Sequence, residues 1–301
     1  MSFSIYKKDG QAALPDFQAN AKLNDPALYI PSDALVDAVN VALSLGQPLL
    51  LTGEPGTGKT QLAYHIAQYF QLKEPLVFNA QTTSTATDLF YKYDALGHFQ
   101  YNQNNKDPLS IDEVERRFIR YNALGEAIRT KQRALVLIDE IDKAPRDLPN
   151  DVLFAIEKLR FKVPEIDKHY ESEPNARPII VLTSNSEKNL PDAFLRRVIY
   201  YHIPFPTPED LLKILSKKTD NIAESDLSKI IAHFYSIRDM KLKKAPATAE
   251  LIFWALLLQN TGFPMSKIGG NLTDAEKEQL RMSYSVLAKN KEDLENLKSN
   301  I

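Results

Sequence analysis

One octapeptide constrains this chain more than any other stretch: Gly53-Glu54-Pro55-Gly56-Thr57-Gly58-Lys59-Thr60, which fits the pattern G-x-x-x-x-G-K-[ST]. Its flanks read as that pattern requires. Residues 48–52, Pro-Leu-Leu-Leu-Thr, are a short apolar run suited to a buried strand. Residues 59–70 place Leu62, Ala63, Ile66, Ala67 and Phe70 on one stripe of a helix. Glycines let the backbone turn tightly enough for successive N–H groups to point inward, and a helix N-terminus adds unpaired donors and a favourable dipole. Such a loop suits a polyphosphate. Lys59 is expected to reach the outer phosphates, the Thr60 hydroxyl to hold Mg²⁺, and Gln61 to complete the binding segment that starts at Gly53. A Gly-rich turn arising by chance would not need both the strand before it and the helix after it.

A chain of 301 residues can bury a substantial core, as one large or two smaller domains. Its hydrophobic content of 44% and charged content of 25% suit a globular protein rather than a disordered one. The net charge of −2 gives no global attraction to nucleic acid or to an anionic membrane. There is no cysteine, which excludes disulfides and thiolate metal sites and agrees with a cytoplasmic setting. Residues 1–10 lack an apolar signal region, and no later run is long enough to span a bilayer.

Residues 1–29 show no clear period and are expected as an irregular arm or a weak edge strand. Pro31-Ser32-Asp33 opens a helix running to about Leu45, which Gly46 ends. Residues 76–79 form a second short strand, and 82–93 are Thr-rich and then helical. Residues 94–110 are polar, with a loop tip at 101–107. Ser110 and Glu113 suit a capping box for a helix over 111–120. Residues 134–138, Ala-Leu-Val-Leu-Ile, are apolar throughout, as in a parallel strand covered on both faces. A helix is expected over 148–159. Residues 161–166 and 177–183 are expected to pair as a hairpin across a polar tip at 167–176, with 179–182 continuing as a core strand. A short helix over 192–197 and a last strand over 198–203 follow.

The prolines of 204–208 break this rhythm. Thr207 as cap and Pro208 at the first helical position then start an all-helical region. Its helices are expected over 208–218, 226–238, 248–259 and 273–298, the last with Thr273 and Glu276 as a capping box. The chain thus reads as an arm at 1–30, an α/β domain at 31–205 and a small α-helical lid domain at 206–301. The α/β domain would carry a parallel five-stranded sheet, an insertion at about 94–130 and a hairpin at about 161–180.

Asp139 and Glu140 close the strongest apolar strand. Ligands of open parallel sheets bind beyond the carboxyl ends of strands. Beside a phosphate loop, Asp139 is expected to hold Mg²⁺, directly or through water, and Glu140 to act as general base on the attacking water. Strands often end in charged residues, so it is the loop that lends the acidic pair its meaning.

Taken together, 53–60, 135–140 with its continuation Ile141-Asp142-Lys143-Ala144, and Thr183-Ser184-Asn185 followed by Leu190-Pro191-Asp192-Ala193-Phe194-Leu195-Arg196-Arg197 resemble an AAA+ ATPase of the MoxR-like family. The resemblance covers about residues 28–260. It implies an ATP- and Mg²⁺-dependent hydrolase working as a homo-oligomeric ring, a hexamer, with each nucleotide between subunits. By resemblance Asn185 is the first sensor, which positions the lytic water or touches the γ-phosphate. Arg197, with Arg196 beside it, is the arginine finger lent to a neighbour. Asn79 matches in position a residue that restrains the catalytic glutamate. Many relatives carry an arginine, the second sensor, where this chain has Ala245-Pro246-Ala247-Thr248-Ala249-Glu250; either Lys243 or Lys244 substitutes for it, or coupling of the lid to the phosphates is missing.

The resemblance also implies a protein client and, in many relatives, a partner with a von Willebrand A domain. The insertion and the hairpin tip would face the pore or one side of the ring. A nucleic-acid-dependent motor or GTPase subunit is the competing reading, and a low-turnover nucleotide switch is a third. In the insertion Arg116, Arg117, Arg120, Arg129, Lys131 and Arg133 are offset by Asp112, Glu113, Glu115 and Glu126, which weighs against nucleic acid.

Overall fold

The computed structural model describes residues 19–105, 107–187 and 190–300, together with Tyr6, Asp9, Gln11 and Ala13. The chain divides into two compact units. One comprises Pro31–Gly53 and Lys59–Ile203; the other comprises Met1–Ile30, Glu54–Gly58 and Pro204–Ile301. In chain order, α1 (Ala19–Asn24) belongs to the second unit, and α2 (Asp33–Leu45) opens the first. The Ser32 hydroxyl accepts the N–H of Leu35 at the start of α2, and a left-handed Gly46 ends it.

The first unit continues through β1 (Leu49–Thr52), α3 (Lys59–Tyr69), β2 (Leu76–Asn79), β3 (Tyr91–Tyr93), α4 (Ala95–Asn104), α5 (Ile111–Phe118) and β4 (Ile119–Tyr121). Then come α6 (Ala123–Arg129), β5 (Leu135–Asp139), α7 (Leu148–Lys158), β6 (Arg160–Val163), β7 (Lys168–Glu171), β8 (Ile179–Thr183), α8 (Asp192–Leu195) and β9 (Ile199–His202). Five strands form one parallel sheet in the order β2-β5-β8-β1-β9. Leu135, Val136, Leu137 and Ile138 are all buried. Alternate strand residues face opposite sides, so both faces of β5 are covered. The core beneath one face gathers Leu50, Val136, Ile138, Leu182, Val152 and Phe194.

Several elements differ from the sequence expectation. Residues 161–166 do not pair with 177–183. Instead β6 pairs antiparallel with β7, Arg160 opposite Glu171 and Val163 opposite Lys168, while β8 lies parallel between β5 and β1. Pro164–Ile166 makes a single tight turn, so the hairpin closes earlier than composition suggests. The polar stretch after residue 94 is helical as α4, because the Asp94 carboxylate accepts the N–H of Gly97 and caps it. The expected helix over 82–93 is a 3-10 turn, Thr87–Leu89, leading into β3. The capping box at Ser110 and Glu113 is formed, but α5 stops at Phe118 because the next residues pair as β4 with β3.

These insertion strands are braced to the β6–β7 hairpin. The hydroxyls of Tyr121 and Tyr170 each donate to Glu115 Oε1 at 2.6 Å, and Lys168 Nζ donates to Glu115 Oε2 at 2.6 Å. Burial alone would raise the Glu115 pKa, but these donors outweigh it and hold it at about 2. The Arg129 guanidinium lies 4.0 Å from the centre of the Tyr121 ring.

A glycine fixes how α6 approaches this region. A Cβ on Gly125 would fall 1.9 Å from the carbonyl oxygen of Phe90, inside a buried contact that neither backbone can open. Gly125→Ala is therefore expected to destabilise the α/β unit by about 3 kcal/mol or more. Thermal melting followed by circular dichroism checks this: Tm should fall by roughly 6–12 °C. A change within error would show that α6 can shift without cost.

The second unit is helical: α1, then α9 (Pro208–Lys218), α10 (Glu224–Arg238), α11 (Thr248–Asn260), α12 (Asp274–Ser283) and α13 (Lys291–Ser299). Thr207 caps α9, and Thr273 with Glu276 forms the capping box of α12. The single helix expected over 273–298 is broken, with Tyr284 and Leu287 dropping into the core between α12 and α13. That core also holds Leu211, Phe234, Trp254 and Leu258. His233, Trp254 and Tyr284 meet in a triangle of rings with centroids 5.8, 6.0 and 6.2 Å apart, and His233 shares a 2.6 Å hydrogen bond with the Tyr284 hydroxyl. Buried Asp293 accepts the N–H groups of Lys243 and Lys244 and so anchors α13 to the loop before α11. Of the arm expected over 1–29, residues 1–5, 7, 8, 10, 12 and 14–18 lie outside the described residues. Where it is described, α1 is held by Lys218, whose ammonium donates to the carbonyls of Lys22 and Leu23 at 2.9 and 3.0 Å.

Candidate functional site

The carboxyl ends of β1, β5 and β8 lie side by side, since Leu51 is in register with Thr183 and Ile138 with Leu182. This adjacency brings residues far apart in sequence into one hydrogen-bonded cluster. Lys59 opens α3 and is buried, with 8% of its surface exposed. Its ammonium donates to the Gly53 carbonyl at 2.8 Å and to Asn185 Oδ1 at 3.0 Å. The Thr60 hydroxyl donates to Asp139 Oδ1 at 3.1 Å, and Thr183 Oγ1 donates to the same oxygen. Asn185 Nδ2 faces Glu140 Oε1 at 3.5 Å. With its amide this way round, Asn185 offers an oxygen to the lysine and a nitrogen to the carboxylate, the orientation that serves both charges.

Glu140 sits in the left-handed region, φ 55°, ψ 47°. That backbone is uncommon for a residue with a Cβ and costs of order 1–3 kcal/mol. It is held there by its N–H, which donates to Thr183 Oγ1 at 2.9 Å. The turn lifts the Glu140 carboxylate out of the strand, where Oε2 meets the Lys143 ammonium. Its hydrogen bond to Glu140, and then the nearby carboxylates, hold the Lys143 ammonium above its ordinary pKa.

Between Gly53 and Lys59, Gly56 and Gly58 have φ of 78° and 88°, values that side chains disfavour. Thr57 is buried and donates its hydroxyl to the Glu54 carbonyl at 2.9 Å, while Glu54 and Pro55 are exposed. A Cβ on Gly58 would lie 2.9 Å from the Tyr29 ring. Gln61 is half-buried in the first turn of α3.

The remaining predicted residues lie elsewhere. Arg196 and Arg197 are exposed and precede β9, which runs parallel to β1. Ile199 N–H donates to Pro48 O, so the arginines sit at the amino edge of the sheet and the Lys59 cluster at the carboxyl edge. At about 3.3 Å per strand residue the two are on the order of 15–20 Å apart. At that edge Arg196 and Arg197 line a groove with Gln47, Glu157 and Arg177, and Arg197 Nε is 3.7 Å from Glu157. Asn79 ends β2 in register with Asp139, and its side chain is exposed. The N–H groups of Lys243 and Lys244 serve Asp293, Lys243 Nζ pairs with Glu292 at 2.6 Å, and both lysines line a groove with Asn290 and Glu295. Sequence reasoning named Thr183 within the Thr183-Ser184-Asn185 motif but gave it no role; it joins Asp139 to the Glu140 backbone.

Residues 48–198, half of the chain, match the family model described as AAA domain (dynein-related subfamily). The chain belongs to this AAA family. The matched span of the AAA domain contains every candidate residue from Gly53 to Arg197. Its fold is the α/β AAA+ core, a parallel five-stranded sheet followed by helices, and its class is that of the AAA+ ATPases. Over 178 residues it is 29% identical to Lon protease homolog 2, peroxisomal, of Oryza sativa and of Zea mays. Those matches cover 57% of this chain and 18% of the length of the relatives. Among solved structures, the Thermotoga maritima RuvB Holliday junction branch migration motor matches with a TM-score of 0.46 and 15% identity, over 88% of this chain and 68% of that one. Among the described residues no helix is long and apolar enough to cross a membrane.

Proposed function

We propose that this AAA domain binds ATP with Mg²⁺, hydrolyses it, and spends the cycle on remodelling or activating a protein client, in the manner of MoxR-like ATPases. One observation carries the nucleotide part of this reading: Lys59, Thr60, Asp139, Glu140 and Asn185 converge on one cluster at the carboxyl edge of the sheet. The Thr60 hydroxyl and the Asp139 carboxylate, 3.1 Å apart, are hard oxygen donors of the kind Mg²⁺ takes alongside substrate phosphates and water, so the residues present fit that ion. Bound there, Mg²⁺ supplies charge neutralisation at the phosphate oxygens.

The chain's own groups do the rest. Backbone N–H groups of 53–60 and the Lys59 ammonium hold the phosphates. Glu140 exchanges Lys143 for a water and accepts its proton as the water oxygen bonds the γ-phosphorus and the bond to the bridging oxygen breaks, leaving ADP and phosphate. Asn185 orients the water between itself and Glu140. Arg197, with Arg196 beside it, lies too far from its own Lys59 cluster to help there and acts on a neighbouring copy in a ring, a hexamer in this family.

The competing nucleic-acid reading is the weaker one. Basic residues of the insertion are engaged locally: Arg117 with Glu113, Arg129 with Glu115 and Glu126, and Lys131 with Glu173. The braced insertion and hairpin are the surfaces where a client, or a partner with a von Willebrand A domain, is expected to bind.

Native mass spectrometry of Glu140→Gln with ATP and Mg²⁺ tests the reading. The variant should trap a ring holding uncleaved ATP, while the parent protein releases phosphate at a rate that DNA does not raise. ATP turnover in Glu140→Gln equal to that of the parent would overturn it, and DNA-dependent turnover would favour the competitor.

A further inference from the structure

The phosphate loop from Glu54 to Gly58 groups with the helical unit rather than with the sheet it leaves. Its contacts show how. A Cβ on Gly56 would lie 3.0 Å from Ala247 Cβ and 3.6 Å from Ala249 Cβ, so the start of α11 rests on the loop itself.

A cation reaches the loop from the last turn of α10. The Arg238 guanidinium lies 3.6 Å from the centre of the Phe205 ring, donates Nη1 to the Pro246 carbonyl, and donates Nη2 to Glu54 Oε2 at 2.9 Å. Its side chain is 13% exposed, against 53% for Glu54. The ring and the carbonyl hold the arginine in place, and the exposed partner, Glu54, belongs to the phosphate loop.

We infer that Arg238 is a positioning residue for the nucleotide: through Glu54 it sets the phosphate loop in the conformation that receives the triphosphate. The inference rests on the nucleotide reading above and adds to it the route by which the helical unit addresses the loop. Arg238 acts on substrate through the backbone donors of 54–58, not by touching it. Such an effect falls on ground state and transition state alike, so it appears in KM and leaves kcat standing. A merely structural loss would do the opposite, lowering the folded fraction and with it the apparent kcat at constant KM.

The test is steady-state ATP turnover in the full chain for Arg238→Ala, Glu54→Gln and the double variant. Each single change should raise KM about five- to tenfold with kcat within about twofold, and the double variant should be no worse than either. Glu54→Gln alters an exposed side chain and so keeps the test alive if Arg238→Ala folds poorly. An unchanged KM, a loss confined to kcat, or effects that multiply in the double variant would overturn the role of Arg238. Absence of any turnover in the parent protein would instead remove the nucleotide reading itself.

Discussion

Lys59→Ala is expected to lose nucleotide binding and turnover together. The Lys59 ammonium is buried and makes hydrogen bonds to the Gly53 carbonyl and to Asn185. A triphosphate would take over this charge. Each charge-assisted hydrogen bond contributes about 1.5–3 kcal/mol. Two such bonds predict ATP affinity lower by about 10²-fold or more, read by titration with a fluorescent ATP analogue. Alanine removes the charge and also leaves the Gly53 carbonyl and Asn185 without their donor. Circular dichroism melting of the variant therefore accompanies the titration, to separate lost binding from lost fold. A stably folded Lys59→Ala protein with parental affinity and turnover would end the mechanism, because no other buried ammonium among the described residues stands at the carboxyl edge of the sheet.

Arg197→Ala should leave ATP affinity within about threefold and lower kcat by about 10³-fold, the scale of a transition-state arginine. On the proposed function, the separation across the sheet assigns Arg197 to a neighbouring copy. Because Arg197 and Lys59 stand at opposite edges of one parallel sheet, a copy cannot lend its own arginine to its own site. Mixing inactive Arg197→Ala with inactive Lys59→Ala should therefore restore turnover, since the second variant brings an intact arginine and the first an intact phosphate site. Phosphate release in the mixture, measured against each variant alone at equal total concentration, reads this directly. No regained activity in a mixture shown to assemble would place the arginines outside the chemistry. The corresponding Arg196→Ala experiment tells which of the adjacent pair reaches across.

Elements governed by local chemistry were legible from residue order. Ser32 and Gly46 bound α2, Thr207 and Pro208 start α9, and Ser110 with Glu113 caps α5, because each device involves groups within a few residues of one another. The apolar run ending at Asp139 reads as a strand buried on both faces for the same reason. Where partners had to be chosen at a distance, reading failed. Residues 161–166 had an apolar pattern fit for pairing, but nothing in that pattern distinguishes β7 from the region of β8, and the sheet claims β8 on both edges. The stretch after residue 94 lacks an apolar stripe, and the single Asp94 cap outweighed composition.

The candidate site divides along the same line. Its phosphate loop, its acidic pair and its sensor-like asparagine are local patterns, and residue order was enough to nominate them. Three features were decided by tertiary structure: Thr183 lying against Asp139, Glu140 held in a left-handed turn, and Arg238 meeting Glu54 across 184 residues of chain. A peptide's local conformation depends on its neighbours in sequence, so caps, turns and strand runs are written there. Which charge meets which carboxylate depends on how strands order themselves in a sheet and on which helix end the loop rests against, and that is settled when the whole chain buries its apolar surface.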